Sequence, residues 1–452
     1  MKRYGLMLVC LLVSVFAFGQ TAQNAVWLIG DGMGIGTMGL LIQGVQKTNL
    51  PAYPDKQSAL EKFINASKTG LFFTDTHDTL VTDSACAATQ MACGERSTPG
   101  TIGMDAQWKS VRTLLEEAVE EGKSVGVITD SYVVDATPAG FLAHVQNRGQ
   151  KYEIARQFID SQAQVVLGGG RKYFTERENK KLFKQARKKG WQIVENAQDM
   201  AKVKKGRILG LFADESLPFY GEKDKYPQVP TLKEMTQKAI ELLSQNEKGF
   251  VLMVEAGKID WAAHNNEAGP TLWEMLNLDE TLAYVWDFAK KDGKTLVYLN
   301  SDHDTGTPVF HYRSLDADKV KLKNEAGERL YNGRMDYVNF QYYQKMLKHK
   351  EMLYFSYGNF KALPAKEQTA EKLQEICNKV LGEEMDLNLN GEIPDYATLM
   401  KKVNDAYGMV WATTNHSGAV LLGVAYGPGS GLFEGVYHNS DLKEKFEKAL
   451  DL

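Results

Sequence analysis

Along the chain, short runs of consecutive apolar residues alternate with stretches whose apolar residues recur every three to four positions. The runs at 25–30, 124–129, 164–167, 250–254 and 295–299 have the length and near-unbroken hydrophobicity of strands buried on both faces. Between the first two, Val111, Leu114, Leu115, Ala118 and Val119 fall on one stripe at i, i+3, i+4, i+7 and i+8, which predicts an amphipathic helix that Gly122 stops. Such alternation predicts an α/β fold with a mostly parallel central sheet and helices on both faces. The rhythm breaks after Asp304. Residues 306–412 are rich in Tyr, Lys and Asn, and we expect them to form an inserted, cap-like subdomain over one end of the sheet. A strand-like run at 419–426 and a helix near 441–450 then resume the pattern. The expected division is therefore an α/β catalytic unit from 20–305 and 413–452, interrupted by the insertion.

Composition removes other classes. With 452 residues, 43% hydrophobic and 24% charged, the chain matches an ordinary globular protein and excludes disorder, collagen and coiled coil. Lys2 and Arg3 precede an apolar run at 6–18, followed by the small-residue pattern Ala17-Phe18-Gly19. This reads as a secretory signal peptide over 1–19, cleaved before Gln20; an uncleaved anchor is the competing reading. No later stretch has the length of a membrane span, so a periplasmic or secreted protein is expected. A formal charge of −4 favours neither nucleic acid nor anionic lipid as partner. Of four cysteines, Cys10 lies in the leader. Cys86 and Cys93 would sit about 10 Å apart along a helix, beyond disulfide reach. A bridge from one of them to Cys377 is left open.

Polar residues stand just beyond the predicted strands: Asp31 after 25–30, Glu255 after 250–254, and Asp302-His303 after 295–299. Open α/β sheets bind ligands beyond the carboxyl ends of their strands, so these side chains are expected to converge. Taken singly, each reads as a turn carboxylate or a helix cap. Asp260 and His264, spaced i and i+4, share a helix face and can hold one metal ion. Mixed His and Asp ligands without thiolates suit zinc; carboxylate and hydroxyl oxygens suit magnesium. In Val81-Thr82-Asp83-Ser84-Ala85-Cys86, small helix formers follow Ser84. That places its hydroxyl at a helix N-terminus, where unpaired N–H groups favour an anion.

Several motifs in order give the chain a resemblance to the alkaline phosphatases over nearly its whole mature length. They are Gly30-Asp31-Gly32-Met33-Gly34, Thr82-Asp83-Ser84-Ala85, Asp135-Ala136-Thr137-Pro138-Ala139 with Ala143-His144-Val145 to Arg148, Val254-Glu255-Ala256-Gly257 to Asp260 and His264, Asp302-His303, and His416-Ser417-Gly418. The resemblance implies that family's three-layer sandwich, a phosphoserine mechanism on small phosphate monoesters, and two Zn2+ and one Mg2+. It implies Asp260, His264 and His416 for one zinc, and Asp31, Asp302 and His303 for the other. Asp31, Thr137 and Glu255 would hold magnesium, with Asp135 acting through water. Ser84 would be the nucleophile and Arg148 the phosphate clamp, oriented by Asp83. A homodimer is a further expectation, since the family is often dimeric. Trp261 stands where some members of the family carry Lys and others His, though Trp occurs there in some relatives, and it removes a charge from the phosphate pocket. The rival readings are a diesterase or sulfatase of related fold, or a silent envelope protein that binds metal or phosphate.

Three tempting features are set aside. Gly168-Gly169-Gly170-Arg171 lacks the spacing and Lys of a P-loop and reads as a strand-to-loop turn away from the site. Asp386-Leu387-Asn388-Leu389-Asn390-Gly391 opens like a calcium loop but has Ala397 where a bidentate Glu belongs. The Tyr and Phe residues between Tyr331 and Phe360 are expected to form the insertion's own core.

Overall fold

The computed structural model describes residues 21–310, 341–385 and 387–452, with the backbone of Arg313–Ser314 and Met335–Asp336. The expected leader at 1–19 lies outside the described residues, as do most of 311–340 and Asp386 of the calcium-like loop.

Ten strands form one sheet. In chain order they are β1 (Asn24–Gly30), β2 (Lys68–Phe73), β3 (Ser124–Tyr132), β4 (Val165–Gly169), β5 (Trp191–Val194), β6 (Arg207–Leu211), β7 (Phe250–Ala256), β8 (Thr295–Asn300), β9 (Leu421–Tyr426) and β10 (Gly435–His438). Their spatial order is β10-β2-β9-β8-β1-β7-β3-β4-β6-β5. Only β9 runs against the rest. All five strands read from the early hydrophobic runs are present, four of them extended by one to three residues and the run at 164–167 shifted to Val165–Gly169.

The side-chain period of two explains the unbroken hydrophobicity of β1. Val26 and Leu28 enter the apolar core on one face of the sheet, while Ala25, Trp27 and Ile29 enter the core on the other. Helices Ile35–Lys47, Leu232–Leu243 and Ala268–Asp292 cover the first face. Helices Ser84–Cys93, Ala136–Leu142, Lys151–Asp160 and Leu442–Leu450 cover the second.

The helix expected from Val111 begins later, at Leu114. Thr113 and Glu116 form a capping box that fixes its start, and the Val111 N–H is taken by the Gly103 carbonyl instead. Cys86, Cys93 and Cys377 are buried free thiols, so the open bridge does not form. The helices Leu353–Lys361, Ala370–Leu381 and Tyr396–Tyr407 bury Leu353, Leu373 and Val403 in the first-face core rather than in a separate one. Tyr343 and Phe360 are buried there too, but Tyr354 and Phe355 are about half exposed. The aromatic residues of this stretch are therefore only in part a core. The three glycines of Gly168-Gly169-Gly170 end β4: a Cβ on Gly168 would meet the Thr129 carbonyl at 2.7 Å, and one on Gly169 the Glu215 carbonyl at 2.3 Å. They serve close backbone packing.

Candidate active site

Register brings the strand ends level. Ile29 pairs with Glu255 and with Asn300, and Glu255 pairs with Thr129. Asp31, Glu255 and Asp302-His303 therefore emerge together at the carboxyl edge of β1, β7 and β8. His416 joins them from far along the chain because it pairs with Thr305 in a short antiparallel ribbon. The last two glycines of Gly30-Asp31-Gly32-Met33-Gly34 are forced by this crowding. Gly32 has φ +71°, and a Cβ there would lie 3.0 Å from Asp260 Oδ1. A Cβ on Gly34 would fall 1.7 Å from Asp304 Oδ1.

Ser84 is the first residue of helix Ser84–Cys93 and is almost fully buried. Its cap is Asp83, whose Oδ1 accepts from Cys86 N and Gly100 N at 3.0 Å each. The other oxygen of Asp83 receives Arg148 Nη1 at 3.1 Å, while Arg148 Nη2 lies 3.4 Å from Asp135 Oδ1. Burial works against the Arg148 charge, but Asp135 and Asp83 outweigh it and hold the guanidinium pKa above its usual value. Ser84 Oγ lies 3.0 Å from His303 Nε2.

The hydrogen bonds of the three histidines decide what this centre can hold. His264 Nδ1 meets the Thr414 carbonyl at 2.6 Å, and His416 Nδ1 meets the Thr82 carbonyl at 2.8 Å. A carbonyl only accepts, so each Nδ1 carries a proton, and in the neutral imidazole each Nε2 is then the lone pair that faces the centre. Thr305 Oγ1 spends its own proton on Asp260 Oδ1 at 2.6 Å, so toward His303 Nδ1, 3.2 Å away, it must accept. His303 Nε2 is bare as well. Yet His264 Nε2 and His416 Nε2 face each other at 3.1 Å, with Asp260 Oδ1 3.3 and 3.6 Å away. His303 Nε2 stands 3.4 Å from Asp31 Oδ1 and 3.2 Å from Asp302 Oδ2, both buried oxygens without a hydrogen-bond partner. Lone pairs and carboxylates pressed together repel unless cations lie among them. The donor atoms of Asp260, His264 and His416 lie within 4.8 Å of one another, as do those of Asp31, Asp260 and His303. These nitrogen and carboxylate sets fit zinc.

Glu255, buried at the end of β7, accepts from the Thr129 hydroxyl, and Ser131 Oγ stands 3.4 Å away. Burial, with Asp135 adding to it against the Thr129 bond, pushes the Glu255 carboxyl up to about 8. Burial followed by Asp260 pushes Asp302 to about 7, and burial followed by Asp302, Asp260 and Glu255 raises Asp31 far above the carboxylate range. Burial and the neighbouring His416 and His264 keep His303 well below the usual imidazole value, in its neutral form. Thr137 Oγ1 is buried without a hydrogen-bond partner. With Asp31 and Glu255 it offers hard oxygen donors, a set that fits magnesium. Every residue expected at the site thus lies at this edge of the sheet. Sequence reading missed Thr305, the Thr82 and Thr414 carbonyls, Thr129 with Ser131, and Lys151, whose ammonium is 3.5 Å from Asp135 Oδ1. A hydroxyl two residues past His303 was a visible signal for Thr305; the carbonyl partners left none.

The chain belongs to the alkaline phosphatase family, whose pattern matches residues 22–452, and it is a phosphomonoesterase hydrolase. Alkaline phosphatase 4 of Bacillus subtilis is 31% identical over 431 residues, covering 93% of this chain and 87% of that protein. The Escherichia coli alkaline phosphatase is 35% identical over 343 residues, covering 63% and 70%. Among solved structures, the cold-active alkaline phosphatase of a Shewanella species superposes with a TM-score of 0.76 at 28% identity, covering 94% of this chain and 99% of that one. A variant of the alkaline phosphatase from the Antarctic bacterium TAB5, with aspartate replacing a histidine, is described with magnesium bound in its M3 site; it is 26% identical with a TM-score of 0.68, covering 96% and 99%.

Proposed function

We propose that this protein hydrolyses phosphate monoesters through a phosphoserine on Ser84, at a centre of two zinc ions and one magnesium ion. Asp260, His264 and His416 would hold one zinc, and Asp31, Asp302 and His303 the other. Asp31, Thr137 and Glu255 would hold magnesium, with Asp135 acting through water; that the TAB5 variant binds magnesium in its M3 site supports a magnesium ion as the third metal. When bound, the ions supply Lewis acidity at the serine oxygen and the leaving oxygen. The observation that carries the reading is the Ser84 hydroxyl at a helix N-terminus, 3.0 Å from a bare imidazole nitrogen and beside a guanidinium gripped by Asp83.

The chain's own groups have separable tasks. The first N–H groups of helix Ser84–Cys93 and the Arg148 fork face the charge of the phosphoryl oxygens. Asp83 fixes Arg148 and the helix start with one carboxylate, so clamp and nucleophile are registered together. Positioning and charge neutralisation are the main demands of phosphoryl transfer. Arg148 favours a monoester dianion, which has two free oxygens for the fork, over a diester. The same proposal includes the inserted subdomain at 306–412 and a periplasmic or secreted location, which rests on the leader pattern; among the described residues no helix is long and apolar enough to cross a membrane.

Quenching the metal-loaded enzyme in acid during turnover of a labelled aryl phosphate tests the reading. Label should be recovered on Ser84 and disappear in Ser84→Ala, with metal content unchanged. Label on another residue, or an unaltered rate in the variant, would defeat it. Parallel diester and sulfate substrates address the rival activities.

A further inference from the structure

Lys151 is oddly placed for a surface lysine. It is the first residue of helix Lys151–Asp160, where the helix dipole disfavours a cation. Its side chain is only 22% exposed, and its ammonium lies 3.5 Å from Asp135 Oδ1. That is the same oxygen that Arg148 Nη2 approaches at 3.4 Å. The ammonium also sits 4.4 Å above the Tyr132 ring, a cation–π contact, and Tyr132 packs 5.5 Å from Trp261 beside the metal-binding helix face. Arg148 and Lys151 share one tight turn, secured by Arg148 N to the Gly100 carbonyl at 2.8 Å and Gln150 N to the Asn147 carbonyl at 2.9 Å.

Charge balance gives this placement a consequence. Arg148 faces two carboxylates, Asp83 and Asp135, so the clamp without Lys151 carries a net negative charge where a phosphate dianion must arrive. Lys151 brings the four groups to neutrality, and Trp261 contributes no charge from the other side. We infer that Lys151 is a phosphate-positioning residue, offsetting Asp135 so that the Arg148 guanidinium stays available to the incoming phosphate. A group whose work was only to begin its helix would not need to contact the clamp's own carboxylate.

The inference rests on the phosphomonoesterase reading above, and its test separates the two. In metal-loaded full-length protein, binding of inorganic phosphate is measured by equilibrium dialysis, alongside kcat and KM for an aryl phosphate. Lys151→Met and Lys151→Gln should each weaken phosphate binding and raise KM about tenfold, as for one charge acting across a partly buried site. The value of kcat should stay within about threefold, and Lys151→Arg should restore binding to within about twofold. Using two variants guards against one that fails to fold. A merely structural lysine would lower the melting temperature and leave phosphate affinity unchanged; that result in a folded, metal-replete variant overturns the inference. Arg148→Ala serves as the reference. If it also leaves phosphate affinity unchanged, the phosphate pocket itself is wrong; if it alone weakens binding, only the role of Lys151 fails.

Discussion

Replacing Thr305 by valine isolates the relay that orients the metal-facing edge of His303. Valine keeps the branched shape and substitutes a methyl group for the hydroxyl, so packing changes little. Two interactions disappear together. Asp260 Oδ1 loses the donor at 2.6 Å, and His303 Nδ1 loses its acceptor at 3.2 Å in a fully buried position. An unsatisfied buried donor costs about 1–3 kcal/mol, and a hydrogen bond to a carboxylate is worth about as much. Part of that falls on folding, and part on holding two ligands of neighbouring ions in the right tautomer and orientation. Loss of such supporting hydrogen bonds typically weakens metal affinity by about 10- to 100-fold. Titration of the zinc-loaded protein with a competing chelator should show a shift of that size, and excess zinc should recover much of the activity. Nitrogen-detected NMR should report mixed tautomers at His303 in the variant and one in the wild type. A folded Thr305→Val protein with wild-type zinc affinity and a single His303 tautomer would refute the relay.

Two further outcomes follow from the same geometry. Arg148→Ser removes the clamp and should lower monoester turnover by about 2–4 kcal/mol, or roughly 30- to 1000-fold, with much less effect on a diester; equal losses on both substrates at full metal content would contradict it. Asp279, buried beneath the start of helix Ala59–Ala66, accepts from Ala59 N at 2.9 Å and Leu60 N at 2.7 Å, yet burial outweighs these bonds and pushes its carboxyl from 3.8 up to about 6. A carboxyl whose pKa is raised in the folded state stabilises most below its unfolded pKa and loses that contribution as pH rises through the folded value. The wild type should therefore lose on the order of 3 kcal/mol from this group between about pH 4 and pH 6. Urea unfolding should show Asp279→Asn less stable throughout but lacking that share of the slope; parallel pH profiles would count against the assignment.

What could be read directly from the chain depended on how strongly local pattern reflects burial. The central strand β1 is buried on both faces, so its side chains are apolar without interruption, and the run at 25–30 announced it. Strand β2, second from one edge of the sheet, alternates buried and exposed positions over only part of its length, and it offered no such signal. Neither did β5, only four residues long at the far edge of the sheet. Among functional residues, Asp260 and His264 were legible because helical periodicity alone puts them on one face. Asp31, Glu255 and Asp302-His303 were legible because each directly follows its strand.

Sequence by itself thus determined the layered α/β class, the edge at which the site lies, and, through the family resemblance, the roles expected of its residues. Only tertiary structure decided which atoms are free to bind. His416 reaches the centre through a ribbon pairing with Thr305, a contact separated by more than a hundred residues. The state of each imidazole is set by carbonyls of Thr82 and Thr414 whose own side chains carry no information about it. The place of Lys151 in the clamp depends on a turn that folds it back over Tyr132 onto Asp135. Local sequence encodes periodicity and backbone preference, which act over a few residues. Tautomers, orphaned oxygens and local charge balance depend on which distant groups the packed core brings within 3 to 4 Å, and no nearby pattern records that.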